Sequence, residues 1–310
     1  MRSYYMKVLI LGGNGFIGSH LVDKFLLEGH FVRVFDRSED HYRGRLPNVE
    51  YHLGEFGNRE MLSEALEGID IVIHLISTTL PKTSNDNTLF DVESNVIETL
   101  FLLEKCCERK IKKIIFTSSG GTVYGVPRML PVQEDHIKEP ICSYGITKLT
   151  IEKYLSLYKH LHDLDFVIIR PSNPFGIRQN PYGFQGAIPV FLGKIVQNEP
   201  IQIWGNGEVI RDYLYVDDLA DAIFIAAIKK TRSNVFNIGS GRGYSLNQLL
   251  LIMKDVTSLN FEVIYSEART FDVQEIYLDI TRATTDLGWS PSKPLEYGIK
   301  QTWDFISSAH

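Results

Sequence analysis

The sequence has 310 residues, of which 44% are hydrophobic and 23% are charged. This composition is typical of a globular protein with room for two lobes or one large α/β domain. The formal net charge of −6 and the lack of a basic tract argue against nucleic acid as a partner. Three cysteines make no disulfide framework, and no apolar run reaches membrane-spanning length. We therefore expect a cytoplasmic protein without membrane insertion.

The first informative stretch lies near the N-terminus. The apolar run Val8–Leu11 stops at three glycines spaced three apart, namely Gly12, Gly15 and Gly18. Phe16 and Ile17 then begin the apolar face of a helical pattern. A strand, a tight turn and a helix N-terminus are predicted, and such a turn binds a pyrophosphate through free backbone N–H groups.

A second predicted strand ends at an acidic residue. The apolar run Phe31–Phe35 is followed by Asp36, at the position where a carboxylate holds the adenosine ribose of a dinucleotide. A carboxylate there favours NAD, because it would repel a 2′-phosphate. The adjacent Arg37 softens that preference.

Strand and helix patterns alternate up to Pro171. This alternation predicts a Rossmann-type, doubly wound parallel sheet with helices on both faces, which is an α/β fold. From residue 173 the pattern becomes mixed. We expect an NAD-binding domain over residues 6–172, joined by about 211–240, and a smaller mixed α/β substrate lobe from 173–210 and 241–310.

A tyrosine and a lysine four residues apart open a predicted helix. Tyr144 and Lys148 share one helical face, about 25 residues after Ser118 and Ser119 at a strand end. A lysine cation, together with the positive nicotinamide, is expected to lower the pKa of the phenol. The pair therefore predicts a general base that takes a proton from a sugar or alcohol hydroxyl.

Together these motifs resemble the extended short-chain dehydrogenase/reductases, in particular the NAD-dependent epimerase/dehydratase family and its nucleotide-sugar 4-epimerases of the UDP-galactose epimerase type. The resemblance runs from Met6 to the last predicted helix. Besides the residues above, it rests on Asn95-Val96, Val123-Tyr124-Gly125, Arg170-Pro171-Ser172-Asn173, Arg211-Asp212-Tyr213 and Asp286-Leu287-Gly288-Trp289.

The resemblance implies a set of residues that contact bound NAD. Glu55 and Phe56 would flank the adenine, and Lys82 would lie near the nicotinamide ribose or the pyrophosphate. The full set is Gly12, Gly15, Phe16, Ile17, Gly18, Asp36, Arg37, Glu55, Phe56, Leu75, Lys82, Asn95, Ser118, Tyr144, Lys148 and Pro171.

The resemblance also implies catalytic and substrate-binding roles. Tyr144 would take the proton of the sugar 4-hydroxyl, Lys148 would assist it, and Ser119 would orient the 4-oxygen, with Thr122 in reserve. Arg211 and Arg269 would pair with the diphosphate of a UDP-sugar. The implied substrate contacts are Ser119, Tyr144, Asn173, Ala187, Arg211, Arg269 and Ile276. No metal site is expected.

Two of the departures from the family pattern bear on the reaction and on its substrate. The segment 117–122 holds one extra residue, so the position of the proton-relaying hydroxyl depends on the direction of counting. Counting from the strand gives Ser119, whereas counting back from Tyr124 gives Gly120, and glycine cannot relay a proton. Gly120-Gly121 also stand where related dehydratases carry acidic residues. Ile276 stands where hexose-specific epimerases place a tyrosine, which predicts room for an N-acetyl group.

The predicted activity is therefore inversion of C4 of a UDP-hexose or UDP-N-acetylhexosamine through a transient 4-keto sugar. An NAD(P)H-dependent nucleotide-sugar 4-ketoreductase is the alternative, and a dinucleotide-binding regulator without catalysis is a third interpretation. The resemblance further implies a homodimer that associates through predicted helices over 91–109 and 143–158.

Overall fold

The computed structural model describes residues 5–183, 185–267 and 273–308. A seven-stranded sheet lies at its centre, and each pair of neighbouring strands in it is parallel. In spatial order the strands are β10 (Val235–Ile238), β6 (Phe166–Pro171), β5 (Lys113–Thr117), β4 (Ile71–His74), β1 (Lys7–Leu11), β2 (Phe31–Asp36) and β3 (Val49–Leu53). The strand order reverses between β1 and β4, and nucleotides bind at such switch points.

Helices cover both faces of this sheet. In chain order the helices are α1 (Phe16–Leu27), α2 (Arg59–Ala65), α3 (Thr88–Asp91), α4 (Glu98–Glu108), α5 (Ser143–His162), α6 (Ala187–Val196), α7 (Val216–Ile228), α8 (Leu246–Thr257) and α9 (Leu295–Ser308). A π-helical stretch, Val92–Ile97, joins α3 to α4, and a second covers Ala283–Leu287.

The alternation of side chains along each strand builds two cores. Val8 and Ile10 of β1 point to the face covered by α1 and α7, whereas Leu9 and Leu11 point to the face covered by α4 and α5. Strands covered on both faces read as continuous apolar runs, which is the pattern of β1 and β4. The prediction of a doubly wound α/β sheet is confirmed.

A mixed sheet follows the change of pattern at residue 173. Its central strand is β9 (Ile210–Tyr215), which pairs with β7 (Asn173–Phe175), β11 (Gly243–Ser245) and β13 (Glu275–Ile276). Strand β8 (Ile201–Trp204) pairs separately with β12 (Val263–Ser266). A third core joins α6, α8 and α9 to these strands. Among the described residues, no helix is long and apolar enough to cross a membrane.

Candidate active site

The glycine turn joins β1 to α1 at the switch point of the sheet. Gly12 takes φ of +85°, a conformation that glycine adopts without strain. A side chain at Gly18 would collide with the carbonyl oxygen of Gly12, so glycine is needed there for close packing. Gly15 stands at the N-cap of α1 with no capping side-chain hydrogen bond in the described chain. The first-turn N–H groups of α1 therefore suit a pyrophosphate.

Asp36 lies beside this turn at the end of β2. One carboxylate oxygen accepts a hydrogen bond from the Asn14 backbone at 3.0 Å, and the other accepts from the Ser38 backbone at 3.2 Å. Asn14 is buried and also donates from its amide to the Ser38 carbonyl at 2.6 Å. Asn14 was missed by the sequence reasoning, although its place inside the glycine turn is a usable signal. These bonds fix the carboxylate at the predicted ribose position, with Arg37 exposed next to it.

Other predicted NAD contacts lie near the glycine turn and at the end of β4. The Leu75 backbone donates to the Leu11 carbonyl at 3.1 Å, which places Leu75 against the glycine turn. Phe56 is buried and packs its ring 5.1 Å from that of His74, while Glu55 and Lys82 are exposed. Their roles toward the cofactor stay predictions.

Tyr144 and Lys148 lie in the first two turns of α5. The Lys148 ammonium lies 5.6 Å from the centre of the Tyr144 ring and donates to the Thr117 carbonyl at 2.9 Å. It also lies 4.8 Å from the Phe116 ring. The structure therefore brings the predicted pair together at the C-terminal end of β5.

Burial dominates the ionisation of both groups. It lowers the pKa of Lys148 to about 8, although the charges of Asp91 and Glu152 oppose the shift. Burial raises the pKa of Tyr144, and Cys142 and Asp91 add to that effect. The predicted lowering of the Tyr144 pKa by Lys148 together with bound nicotinamide stays a prediction, because in the protein without NAD the loss of solvent around the phenol dominates.

The segment after β5 carries the candidate hydroxyls. Ser119 is partly exposed, and the Thr122 hydroxyl is buried with no hydrogen-bond partner among the residues described. Gly120 donates from its backbone to the Pro171 carbonyl at 2.8 Å, and a side chain there would lie 2.6 Å from Leu278. Ser119 and Thr122 therefore both stay candidates for orienting the substrate oxygen.

A buried ion pair lies beneath this segment. Glu152 and Arg170 are 3% and 2% exposed and pair through two bonds, of 2.9 and 2.5 Å. The Ser118 hydroxyl donates to Glu152 at 2.6 Å, so the side chain of this predicted NAD contact is committed to the protein. Arg170 also donates to the Tyr124 hydroxyl at 2.8 Å. Glu152 was missed by the sequence reasoning, although it follows Lys148 by four residues on the same helical face.

The Asn95 side chain is likewise engaged in hydrogen bonds within the protein. Its amide oxygen accepts from the Thr78 backbone at 3.0 Å, and its amide nitrogen donates to the Asp91 carboxylate at 2.9 Å. Asn95 therefore ties the segment after β4 to the π-helical stretch. Its predicted contact with NAD stays a prediction.

Three of the predicted substrate residues meet beside the mixed sheet. Asn173, Ala187 and Arg211 line one cavity of about 220 Å³. The Asn173 amide donates to the Asp212 carbonyl at 2.8 Å, which fixes the side chain at the cavity wall. Ile276 pairs in register with Arg211 and is 3% exposed. Arg269 lies outside the described residues.

The glycine turn with its carboxylate and the tyrosine–lysine pair define a dinucleotide-dependent enzyme of the short-chain dehydrogenase/reductase type. Residues 8–239 match the model of the NAD dependent epimerase/dehydratase family, and the chain belongs to that family. NAD is its cofactor, which fits the glycine turn and the fixed Asp36 carboxylate.

Known proteins resemble the chain over nearly its whole length. A crystal structure of UDP-glucose 4-epimerase from Thermotoga maritima with UDP-glucose is 36% identical, covers 98% of this chain and 99% of its own, and superposes with a TM-score of 0.92. The UDP-glucose 4-epimerase of Mycolicibacterium smegmatis is 34% identical over 311 residues, covering 97% of this chain and 98% of its own. The dTDP-4-dehydro-6-deoxyglucose reductase of Escherichia coli is also 34% identical, over 302 residues, covering 94% and 95%.

Proposed function

We propose that the protein is a 4-epimerase that inverts C4 of a UDP-hexose or UDP-N-acetylhexosamine. The observation that carries this proposal is the Tyr144–Lys148 pair at the end of β5, beside a glycine turn and carboxylate suited to NAD. A phenol and a lysine at that place are suited to removing the proton of a hydroxyl that is being oxidised.

The residues of the chain divide the work of this reaction. When bound, NAD would supply a reversible hydride acceptor for C4 of the sugar. Tyr144 takes the proton from the sugar 4-hydroxyl and gives it back after the 4-keto sugar has turned its other face. The Lys148 cation favours the phenolate. Ser119 or Thr122 holds the 4-oxygen by a hydrogen bond.

The cavity at the mixed sheet suits the nucleotide part of the substrate. Arg211 stands at its wall, and a guanidinium matches the oxygens of a diphosphate. Asn173 and Ala187 line the same cavity, and Arg269 is the further cation that we assign to the diphosphate. We assign residues 6–172 and the part of the 211–240 segment that follows β9 to NAD binding, and 173–210 with 241–310 to the substrate lobe; β9 itself belongs to the mixed sheet beside the cavity.

The segment after β5 favours epimerisation over dehydration. Elimination of water across C5 and C6 needs an additional acid and base, which carboxylates at positions 120 and 121 would supply. Glycines stand at both positions, and contact with Leu278 and Pro171 leaves no room for a side chain at Gly120. A reaction that removes and returns one hydride needs neither group.

Exposed apolar side chains support the homodimer. Along α5, Ile146, Leu157 and Leu161 fall on one face and are 52%, 42% and 60% exposed in the single chain. Leu89 and Phe90 of the neighbouring α3 are also exposed. We propose that two copies associate through α3–α4 and α5, which would cover this surface.

One experiment separates the candidate functions. The purified protein is incubated with UDP-glucose or UDP-N-acetylglucosamine without added cofactor, and the sugars are analysed. Formation of the C4 epimer, lost in Tyr144→Phe while NAD stays bound, is the expected result. The alternative is a ketoreductase, which the similarity to the 34% identical E. coli reductase supports. Such an enzyme would need added NAD(P)H and a 4-keto sugar. A regulator would turn over neither.

A further inference from the structure

The helix that carries Tyr144 has only a weak cap of its own, the Cys142 thiol near the Gly145 N–H. The N–H groups of a first helical turn have no acceptor inside the helix. Cys142 holds the N-cap position of α5, where within the described chain its thiol lacks the geometry of a capping hydrogen bond, although the nearby Gly145 N–H partly offsets the rise in its pKa that burial causes. Cysteine is also not among the residues that cap helices well. The acceptors for this turn must therefore come from elsewhere.

Two side chains from the segment after β4 supply them. The amide oxygen of Asn85 accepts from the Ser143 backbone N–H at 2.9 Å, and the Ser84 hydroxyl oxygen accepts from the Tyr144 backbone N–H at 3.0 Å. Ser84 is fully buried and donates its own proton to the Pro81 carbonyl at 3.3 Å. The cap thus reaches the backbone of Tyr144 itself from about 60 residues away.

A buried carboxylate anchors the arrangement. Asp91 is 0% exposed, and one of its oxygens accepts from the Ser143 hydroxyl at 2.6 Å. Its other oxygen accepts from the Thr79 hydroxyl at 2.5 Å and the Asn95 amide at 2.9 Å. A buried carboxylate is costly unless it is hydrogen-bonded in this way. Asp91 therefore joins the first turn of α5 to both ends of the segment 79–95.

We infer that Ser84, Asn85 and Asp91 are positioning residues that cap α5 from outside and so hold Tyr144 in place for proton transfer. The inference rests on the proposed role of Tyr144 as the base. A negative group at a helix N-terminus also stabilises the helix dipole. A disordered first turn would move the phenol away from the substrate oxygen, so the cap acts on turnover rather than on substrate binding.

The first test removes the exposed member of the cap. Asn85→Ala should raise amide hydrogen exchange at residues 143–145 about fivefold, the equivalent of ~1 kcal/mol for a lost cap. Asn85→Asp keeps an acceptor oxygen and should restore protection. Asp86→Asn, an exposed neighbour in the same segment, is the matched control. Equal exchange in Asn85→Ala and the control would overturn the cap.

Kinetics test the positioning role. Asn85→Ala should lower kcat several-fold with KM for the UDP-sugar nearly unchanged. Raised exchange with an unchanged kcat would overturn the positioning role while leaving the cap. If the wild-type protein does not epimerise UDP-sugars, the proposed function fails, yet the exchange experiment still decides the cap.

The pH dependence of kcat in an Asp91 variant separates an effect on the base from a purely structural role. Among the described residues, Asp91 and Cys142 act electrostatically on the Tyr144 phenol, and the Lys148 ammonium lies 5.6 Å from the centre of its ring. Asp91→Asn keeps an acceptor for the Ser143 hydroxyl but removes the negative charge. The pH at which kcat reaches half its maximum should therefore fall, and a profile identical to wild type would overturn the electrostatic effect of Asp91 on the base. Ser143→Ala removes the hydroxyl that donates to Asp91 but changes no charge, so the pH of half-maximal kcat should stay that of the wild type.

Discussion

Gly18→Ala tests whether the glycine turn holds NAD as the structure indicates. An added Cβ would collide with the Gly12 carbonyl oxygen and lie 2.6 Å from the Gly13 Cα. Both are backbone atoms, so no side-chain rotation relieves the contact, and the turn must open. Overpacking of this kind costs about 1–3 kcal/mol. If this free energy must be supplied when the turn binds NAD, the affinity for NAD drops by about 5–150-fold.

The assay measures the NAD that the protein retains. Purified protein is denatured, and the released dinucleotide is quantified per chain. Gly57→Ala is the matched control, because the nearest atom to its added Cβ is Glu98 Cδ at 3.9 Å. We expect Gly57→Ala to keep the wild-type content and Gly18→Ala to lose most of it while its circular dichroism stays that of a folded protein. A Gly18→Ala protein with full NAD content would refute the close-packing argument.

Four further predictions follow from the same structure. Glu152→Ala should lower the free energy of unfolding in urea by about 3–5 kcal/mol, because it leaves a buried guanidinium unpaired, whereas Asp304→Ala in an exposed ion pair should cost about 0.5 kcal/mol or less. Charged Lys148 destabilises the fold, since its pKa is about 8 when folded and 10.5 when unfolded. Relative to Lys148→Met, the wild-type apoprotein should therefore gain about 3 kcal/mol of unfolding free energy as pH rises from 8 to 10.5, and a constant difference would contradict this. Leu157→Lys should give a monomer in sedimentation without loss of folding, and a dimer of unchanged affinity would place the interface elsewhere. Ile276→Tyr should reduce turnover of UDP-N-acetylglucosamine more than that of UDP-glucose, and equal losses would remove Ile276 as a specificity residue.

The central sheet and its glycine turn were predictable from sequence because their signals are local. Val8–Leu11 is a continuous apolar run that stops at glycines, and the predicted turn forms between β1 and α1. The spacing of four between Tyr144 and Lys148 places both on one face of α5, and the structure brings them together. Strand periodicity and helix spacing are properties of neighbouring residues, so no tertiary information was needed.

The surroundings of the site could not be predicted because they depend on distant segments. Asn85 and Ser143 are 58 residues apart, and no local pattern links an asparagine after one strand to the N-terminus of a later helix. The direction of the pKa shift of Tyr144 also depends on burial, which a sequence motif does not report. The fixed carboxylate of Asp36 likewise needs Asn14 from another turn.

The buried Glu152–Arg170 pair connects the elements that the reaction needs. Glu152 belongs to the helix of Tyr144 and accepts from Ser118 at the end of β5, while Arg170 belongs to β6. Apolar side chains of similar volume could give equal stability, since the desolvation of two charges offsets much of their attraction. They could not fix the Ser118 hydroxyl or the direction of the strand ends. Compared with such an apolar pair, we therefore expect the ion pair to act mainly on the relative placement of Tyr144 and the 118–122 segment, and little on stability.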